Sequence, residues 1–239
     1  MRFNRAANFD PSQCRRECRF LPTRSGRNCP RWWIASECRH GIRGREHRSS
    51  VPTACPCLGG RSWKQVFENA WLDRFLALQP PRADVLDIGC GSGEPIGRYL
   101  IEKGHAVTGA DSSPELVEIC RGHFPDQGWR VADMRTLSLA HLFNGILAWD
   151  SFFHPCPDDQ RRMFPIFREH AAPRAALMFT CGPSHGEVIG SYRGEPLYHA
   201  SLGEPEYRSL LDSHGFDVVS HVVEDPNCGG HTIWLAQSV

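Results

Sequence analysis

The sequence is short of lysine and of long apolar runs, and each shortage excludes a class of protein. Lysine occurs only at Lys64 and Lys103, and neither is preceded by glycine, so a Walker-type phosphate site is excluded. No run approaches the ~20 apolar residues that cross a bilayer, so no membrane segment is expected. The first residues also lack the apolar core of a secretory signal. Across the 239 residues, 41% are hydrophobic and 23% are charged, which is typical of a globular protein.

Residues 1–60 are poor in aliphatic side chains and strongly basic. They contain only five Ile, Leu or Val residues, and 12 arginines against four acids give them a net charge of +8. Such a segment buries too little apolar surface to offset the entropy lost on ordering. Residues 61–239 carry a net charge of −8 and have regular apolar patterns. We therefore expect a disordered Arg/Cys-rich segment at 1–60 and one folded domain at 61–239.

Six of the 11 cysteines lie within the first 57 residues. Cys14 and Cys18 have a spacing that zinc ligands use, but Cys55 and Cys57 are too close for the usual second pair, so no metal site is expected. The arginines of this segment could contact nucleic acid, but the acidic domain behind them argues against a nucleic-acid partner. The other five cysteines are scattered, which favours a reducing, cytoplasmic compartment over a disulfide framework.

Strand and helix patterns alternate after a first amphipathic helix, which starts at Ser62 and stops before Pro80. Strands are predicted near 83–88, 105–110, 128–132, 144–149, 174–180, 216–224 and 231–237, and helices near 94–104, 114–124, 158–172 and 204–214. Pro165 should kink or shorten the third of these helices. The alternation predicts a doubly wound, Rossmann-like α/β fold: a seven-stranded, mostly parallel sheet between two layers of helices. Residues 225–230 are too few for a parallel crossover, so the last strand should be antiparallel.

The sharpest motif is a glycine-rich turn between the first strand and the helix after it. Three glycines alternate with other residues over 89–93, where a doubly wound sheet binds its ligands. The dinucleotide pattern G-x-G-x-x-G does not fit, because its sixth position is Glu94 or Ile96 depending on the register. A carboxylate at Glu94 disfavours a pyrophosphate, and with Asp87 it would form an acidic mouth suited to a cationic ligand. A tight turn without any ligand is the alternative.

The run Asp87-Ile88-Gly89-Cys90-Gly91-Ser92-Gly93 resembles motif I of the class I S-adenosylmethionine-dependent methyltransferases. The resemblance extends over residues 61–239. It implies a seven-stranded sheet with an antiparallel last strand and S-adenosyl-L-methionine as the cofactor. It also implies that Asp87 and the turn residues Gly89, Cys90, Gly91 and Gly93 border the methionine end of that cofactor.

The same resemblance assigns cofactor contacts to the ends of the next two strands. Asp111, followed by Ser112, would bind both ribose hydroxyls, although a helix-capping acid is the alternative. Asp133 would accept a hydrogen bond from the adenine amino group, and the next backbone N–H, that of Met134, would meet the ring. A loop-capping aspartate is the alternative for Asp133.

The acceptor side of the site is expected where the fourth strand ends. Trp149 and Asp150 follow that strand, and Asp150 could orient or deprotonate an amine or hydroxyl. His154 lies in the loop beyond it, and Tyr198 lies in an insertion of the kind that shapes acceptor pockets in the family. Asp150, His154 and Tyr198 are the catalytic candidates. His199 and His231 are further acceptor-side residues. A helix cap or a solvent-facing acid is the alternative for Asp150, and a surface position is the alternative for His154 and His231.

The sequence thus predicts cytoplasmic methyl transfer from S-adenosyl-L-methionine to a small-molecule acceptor. Such chemistry needs alignment and a dry site more than covalent machinery, and neither a G-x-S-x-G elbow nor a triad is found. The first alternative is a nucleotide-cofactor oxidoreductase on the same fold. The second is a non-catalytic protein that keeps the cofactor pocket.

Overall fold

The computed structural model of the chain describes residues 68–192 and 195–239. The predictions for residues 1–60, including their cysteines, lie outside the described residues, as does the expected helix start at Ser62. In the part that is described, no helix is long and apolar enough to span a membrane. The same residues contain no cluster of three or more side chains that could hold a metal ion.

Nine strands and five α-helices form the described part of the chain. The helices are α1 (Asn69–Ala77), α2 (Ile96–Glu102), α3 (Pro114–His123), α4 (Pro157–His170) and α5 (Glu204–Ser213). The strands are β1 (Asp84–Ile88), β2 (Ala106–Asp111), β3 (Gly128–Val131), β4 (Phe143–Ala148), β5 (Ala171–Cys181), β6 (Gly186–Tyr192), β7 (Glu195–Ser201), β8 (Phe216–Asp225) and β9 (His231–Ser238).

Seven of these strands form one sheet in the order β3-β2-β1-β4-β5-β9-β8, which confirms the predicted doubly wound fold. β1 to β5 pair in parallel, whereas β9 is antiparallel to both of its neighbours. As a result, the carboxyl ends of the parallel strands and the first residue of β9 lie at the same edge. In a doubly wound sheet this is the edge at which ligands bind.

Helices cover both faces of the sheet and bury two apolar clusters. On one face α4 and α5 contribute fully buried side chains such as Phe164, Phe167 and Leu211. On the other face Phe75 and Leu100, from α1 and α2, are buried in the same way. β1 and β5 are buried along most of their length, because both of their faces are covered.

The helix boundaries and one hairpin differ from the sequence predictions. Pro165 does not end its helix: α4 continues for five residues beyond it, because buried aromatic side chains on both sides of Pro165 hold it in the core. The predicted shortening is therefore wrong, and the predicted kink stays a prediction. No strand is predicted for the segment between β5 and the helix near 204–214. In the structure β6 and β7 pair as a separate antiparallel hairpin.

Candidate active site

The glycine turn joins the end of β1 to the start of α2 through a backbone that only glycine adopts easily. Gly91 has a φ of +56°, and no atom lies within 4 Å of where a Cβ would stand, so the turn is open at this point. A Cβ at Gly89 would instead come within 2.3 Å of Ser151 Cβ. Ser151 donates a hydrogen bond to the carbonyl oxygen of Ile88 at 2.6 Å, so the residues after β4 pack directly against the turn.

Two carboxylates lie below the open side of the turn. Asp87 is only 4% exposed, and no described residue donates a hydrogen bond to it. Burial, and then the nearby charge of Asp111, raise the pKa of Asp87 to about 7. Asp111 accepts hydrogen bonds from the backbone N–H groups of Gly91 at 2.9 Å and Ser113 at 2.8 Å. Each of its oxygens therefore keeps a lone pair for a ligand.

The acidic mouth predicted from Glu94 and Asp87 is only half right. Arg98, one turn along α2, binds both carboxylate oxygens of Glu94, and its Nε atom lies 2.9 Å and 3.0 Å from them. The guanidinium also lies over the ring of Phe124, 4.9 Å from its centroid. The charge of Glu94, which lies two residues before α2, is therefore neutralised by an arginine of that helix. Asp87 and Asp111 supply the negative charge instead.

The remaining cofactor candidates lie along the same edge. Met134 is buried, and its methyl carbon is 3.5 Å from where a Gly89 Cβ would stand, so it packs under the turn. Asp133 caps the short helix that begins at Met134, and it also forms an ion pair with Arg135. That pairing lowers the pKa of Asp133. A ligand at Asp133 would share the carboxylate with Arg135.

The side chains of Cys90 and Ser112, two further cofactor candidates, make no contact at the open side of the turn. The Cys90 side chain is buried against β2, close to Gly109, so only its backbone lines the turn. Cys120 from α3 lies next to it, and its Sγ atom is 3.2 Å from the carbonyl oxygen of Gly91. Ser112 lies half-buried directly after β2, beside Asp111.

Asp150 occupies the acceptor side of the edge with a constrained backbone. Its φ is +49°, and its N–H donates to the hydroxyl of Thr180, a fully buried residue near the end of β5, at 2.8 Å. Its side chain is 49% exposed, and Oδ1 lies 2.9 Å from His231 Nε2. The ring of Trp149 lies 5.4 Å from the ring of His231. The structure thus brings Asp150 and His231 together, as neighbours of the glycine turn.

The β6–β7 hairpin forms a wall beside Asp150. The N–H of Ala200 donates to the carbonyl oxygen of Phe153 at 2.7 Å, which joins β7 to the loop after β4. The rings of Phe153, His154 and His199 contact one another, with centroids 4.7–5.2 Å apart. Burial lowers the pKa of His154, and it lowers that of His199 to about 4. Both imidazoles are therefore neutral at pH 7, and His199 Nε2 is buried without a partner among the described residues.

Tyr198 and His199 face opposite sides of their strand, since successive side chains alternate. The Tyr198 hydroxyl donates to Glu187 across the hairpin at 2.7 Å, whereas its carbonyl oxygen lies 3.3 Å from His154 Nδ1. Its role as a catalytic residue stays a prediction.

Sequence reasoning did not foresee Ser151 and Thr180, which position the glycine turn and Asp150. Their hydrogen bonds join residues 63 and 30 positions apart, and the sequence carries no local signal for them.

Comparisons with known proteins agree with this geometry. Residues 85–174 match the family model described as a methyltransferase domain. The 2-heptyl-1-hydroxyquinolin-4(1H)-one methyltransferase of Mycobacteroides abscessus is 30% identical over 141 residues, which are 55% of this chain and 58% of that protein. The ubiquinone biosynthesis O-methyltransferase of Xanthomonas axonopodis pv. citri is 40% identical over 65 residues, 27% of this chain and 26% of that protein. The chain thus spans little more than half of one curated relative and a quarter of the other.

A solved structure shares the fold. It is an amino pentose methyltransferase from Micromonospora echinaspora with S-adenosylmethionine bound, and its TM-score to this chain is 0.61. The match covers 81% of this chain and all of that one, at 17% identity, so it bears on the fold alone. Taken together with the family model over residues 85–174 and the curated relatives, the strand order and the glycine turn make the chain similar to S-adenosylmethionine-dependent methyltransferases.

Proposed function

We propose that the protein transfers a methyl group from S-adenosyl-L-methionine to a small-molecule acceptor. The observation that carries this proposal is the open glycine turn with a buried, unpaired carboxylate at Asp87 and a second carboxylate at Asp111. Two carboxylates at a ligand-binding edge suit a cationic cofactor, whose charge would also favour the ionised form of Asp87, and they disfavour a pyrophosphate. The glycines of the turn also do not fit the dinucleotide pattern, which again disfavours a pyrophosphate ligand.

The residues present fit this cofactor. Asp87 and the backbone at Gly91 would bind its methionine end, Asp111 its ribose, and Asp133 with Met134 its adenine. When bound, the cofactor supplies an activated methyl group on a sulfonium sulfur. The chain then contributes alignment and the exclusion of water, which the aromatic side chains next to Asp150 provide.

Asp150 is the residue that we assign to the acceptor. It projects from the end of β4, next to Ser151, which contacts the turn. An ionised carboxylate there accepts a hydrogen bond from an acceptor hydroxyl or amine and holds it in place. Both curated relatives are methyltransferases by name. One acts on a hydroxyquinolinone, and the other is named as an O-methyltransferase. These names make an oxygen acceptor the first to test.

Calorimetry with S-adenosylhomocysteine, the demethylated cofactor, tests the assignment. Replacing Asp111 with alanine removes a charge-assisted bond to the ribose worth roughly 1.5–3 kcal/mol, so affinity should fall about ten- to a hundredfold. Asp217→Ala is the matched control, because the Asp217 side chain is exposed on β8. A melting curve of each variant separates loss of binding from loss of folding.

The two alternative functions, an oxidoreductase and a non-catalytic binding protein, predict different results. A nucleotide-cofactor oxidoreductase would bind NADH and not S-adenosylhomocysteine, which would overturn the proposal. A non-catalytic binding protein would bind S-adenosylhomocysteine but transfer no deuterated methyl group to any compound of a small-metabolite extract, as followed by mass spectrometry. Equal affinity in Asp111→Ala would remove the ribose assignment.

We also propose a cytoplasmic location and no nucleic-acid partner. Cys90, Cys120, Cys181 and Cys228 are free thiols, which supports a reducing compartment. Residues 61–239 carry a net charge of −8, which opposes binding to a phosphate backbone.

A further inference from the structure

His231 meets Asp150 although 81 positions separate them, because the antiparallel β9 begins at the edge where β4 and β5 end. The Nε2 atom of His231 is 2.9 Å from Asp150 Oδ1, and its Nδ1 atom is 2.6 Å from the carbonyl oxygen of Cys228. Neither a carbonyl nor an ionised carboxylate can donate a hydrogen bond. Both ring nitrogens therefore donate, and His231 is an imidazolium cation.

The surroundings of His231 agree with a cation. The hydrogen bond to Asp150, and then the one to Cys228, raise the pKa of His231 to about 10. The Trp149 ring is 5.4 Å away, within the range at which aromatic rings attract cations. Asp225 pairs with His231 across the β8–β9 ladder, but its carboxylate is already bound by Trp71 Nε1 and a backbone N–H.

The Asp150–His231 pair is therefore neutral as a whole. His154 and His199, the other titratable groups whose pKa values respond to Asp150, are themselves uncharged at pH 7. An isolated carboxylate in this position would attract a protonated amine. Balanced by an adjacent imidazolium, the same carboxylate gains little from a second cation, yet its other oxygen, Oδ2, can still accept a hydrogen bond.

Resting on the proposed function, we propose that Asp150 and His231 form an acceptor subsite that selects an uncharged hydroxyl on an aromatic ring over a protonated amine. Asp150 accepts the hydrogen bond of the hydroxyl through Oδ2. His231 is a positioning residue, which holds Oδ1 and balances its charge. The half-buried ring of Phe153 supplies apolar surface for an aromatic acceptor.

Two probes of matched size test the selection: 2-naphthol, which is neutral at pH 7.5, and 2-naphthylmethylamine, which is protonated. Calorimetry in saturating S-adenosylhomocysteine should show naphthol binding at least tenfold more tightly to the unmodified protein. His231→Gln keeps a hydrogen-bond donor but removes the cation, so the preference for naphthol should fall at least tenfold. His231→Arg keeps a cation and should retain the preference. The affinity for S-adenosylhomocysteine should stay within twofold in both variants.

Several results would overturn the subsite. They are equal or tighter binding of the amine to the unmodified protein, an unchanged ratio in His231→Gln, and binding of neither probe. S-Adenosylhomocysteine is titrated first in every sample, so failure of the proposed function is seen separately, as absence of that binding.

A spectroscopic measurement on the unmodified protein covers the case in which a variant does not fold. With ¹⁵N-labelled histidine, both His231 nitrogens should remain protonated beyond pH 8, and in Asp150→Asn they should titrate near the ordinary value of 6.5. The His231 signals are assigned from the spectrum of the His231→Arg protein. Titration of His231 near 6.5 in the unmodified protein would exclude the imidazolium and with it the proposal.

Discussion

Gly91 and Gly104 have the same backbone constraint but different surroundings. Both have a positive φ, +56° and +88°, and neither has an atom within 4 Å of where its Cβ would stand. Alanine at either position should therefore cost the same order of stability, about 1–2 kcal/mol for the strained backbone. Only Gly91 borders the proposed cofactor site. Gly91→Ala should weaken S-adenosylhomocysteine binding at least tenfold in calorimetry, and Gly104→Ala should leave it unchanged.

Equal binding losses in the two variants would mean that strain alone acts on the site. Normal binding by Gly91→Ala would contradict close backbone approach at this glycine. Melting curves recorded alongside confirm that both variants fold.

The Asp150–His231 pair also predicts how stability depends on pH. The pKa of His231 in the folded protein, about 10, lies above the ordinary value of 6.5. The stabilisation by the pair is then complete below about pH 6.5 and is lost as the pH rises through 10. Because Asp150 is half-exposed, solvent screening limits the effect to about 1 kcal/mol. Asp150→Asn should lower the melting temperature by about 2–4 °C at pH 6 and hardly at all at pH 10.5.

The control for this measurement is Asp84→Asn. Asp84 forms an exposed pair with His141 at 3.0 Å. This substitution also removes one carboxylate charge, but at a site away from Asp150. If Asp150→Asn lowers the melting temperature by the same amount at pH 6 and at pH 10.5, His231 does not carry the charge.

At the scale of elements, Gln160 fixes the β6–β7 hairpin to the loop after β4. This fully buried side chain of α4 donates to the carbonyl oxygens of Pro155 and Ala200 at 3.0 Å and 2.9 Å, and it accepts from the Tyr207 hydroxyl at 2.6 Å. Gln160→Leu leaves these buried groups without partners, so it should cost about 2–3 kcal/mol. The Ala200 amide, which donates to Phe153, should then exchange its hydrogen more than tenfold faster.

Binding of S-adenosylhomocysteine should not change in Gln160→Leu, because Gln160 contacts the acceptor wall and not the glycine turn. Asp158→Ala on the exposed side of α4 is the control, and it should change stability by less than 0.5 kcal/mol or so. An unchanged exchange rate at Ala200 would show that the hairpin holds its position without Gln160.

The elements that the sequence predicts well are those with a local signal. Ser113 before Pro114 predicts the start of α3, and in the structure the Ser113 hydroxyl accepts the Leu116 N–H at 3.3 Å. The short connection after β8 predicts the antiparallel last strand. The β6–β7 hairpin has no comparable signal, because its strands pair only with each other and lack a buried alternating face.

For the candidate site, local sequence predicts which residues reach the edge but not what they bind there. The sequence predicts Asp87, Asp111 and Asp150 as site residues because each lies at or beside the end of a strand. The pairing of Asp150 with His231 depends on the order of strands across the sheet, which spacing does not encode.

At the scale of the whole molecule, the order of the sheet concentrates ligand contacts on one edge. The turn after β1, the acid that ends β2 and the loop after β4 come from separate parts of the chain, yet the parallel pairing aligns their ends. α1 is tied to the same edge at the end of β8, where Trp71 Nε1 donates to Asp225 Oδ2 at 2.8 Å. A ligand at this edge therefore contacts several elements at once and should stabilise the fold as a unit.

This linkage gives a prediction that needs no acceptor. A ligand that binds only the folded chain stabilises it by RT ln(1 + [L]/Kd), about 2.7 kcal/mol at a concentration of 100 Kd. For a domain of this size that corresponds to a rise in melting temperature of about 5–10 °C. S-Adenosylhomocysteine should produce this rise in a thermal melt, and NADH at the same concentration should produce none. The rise should shrink to below 5 °C or so in Asp111→Ala at equal ligand concentration, because a tenfold weaker affinity removes about 1.4 kcal/mol of the stabilisation. A larger rise with NADH than with S-adenosylhomocysteine would show that the edge holds a dinucleotide.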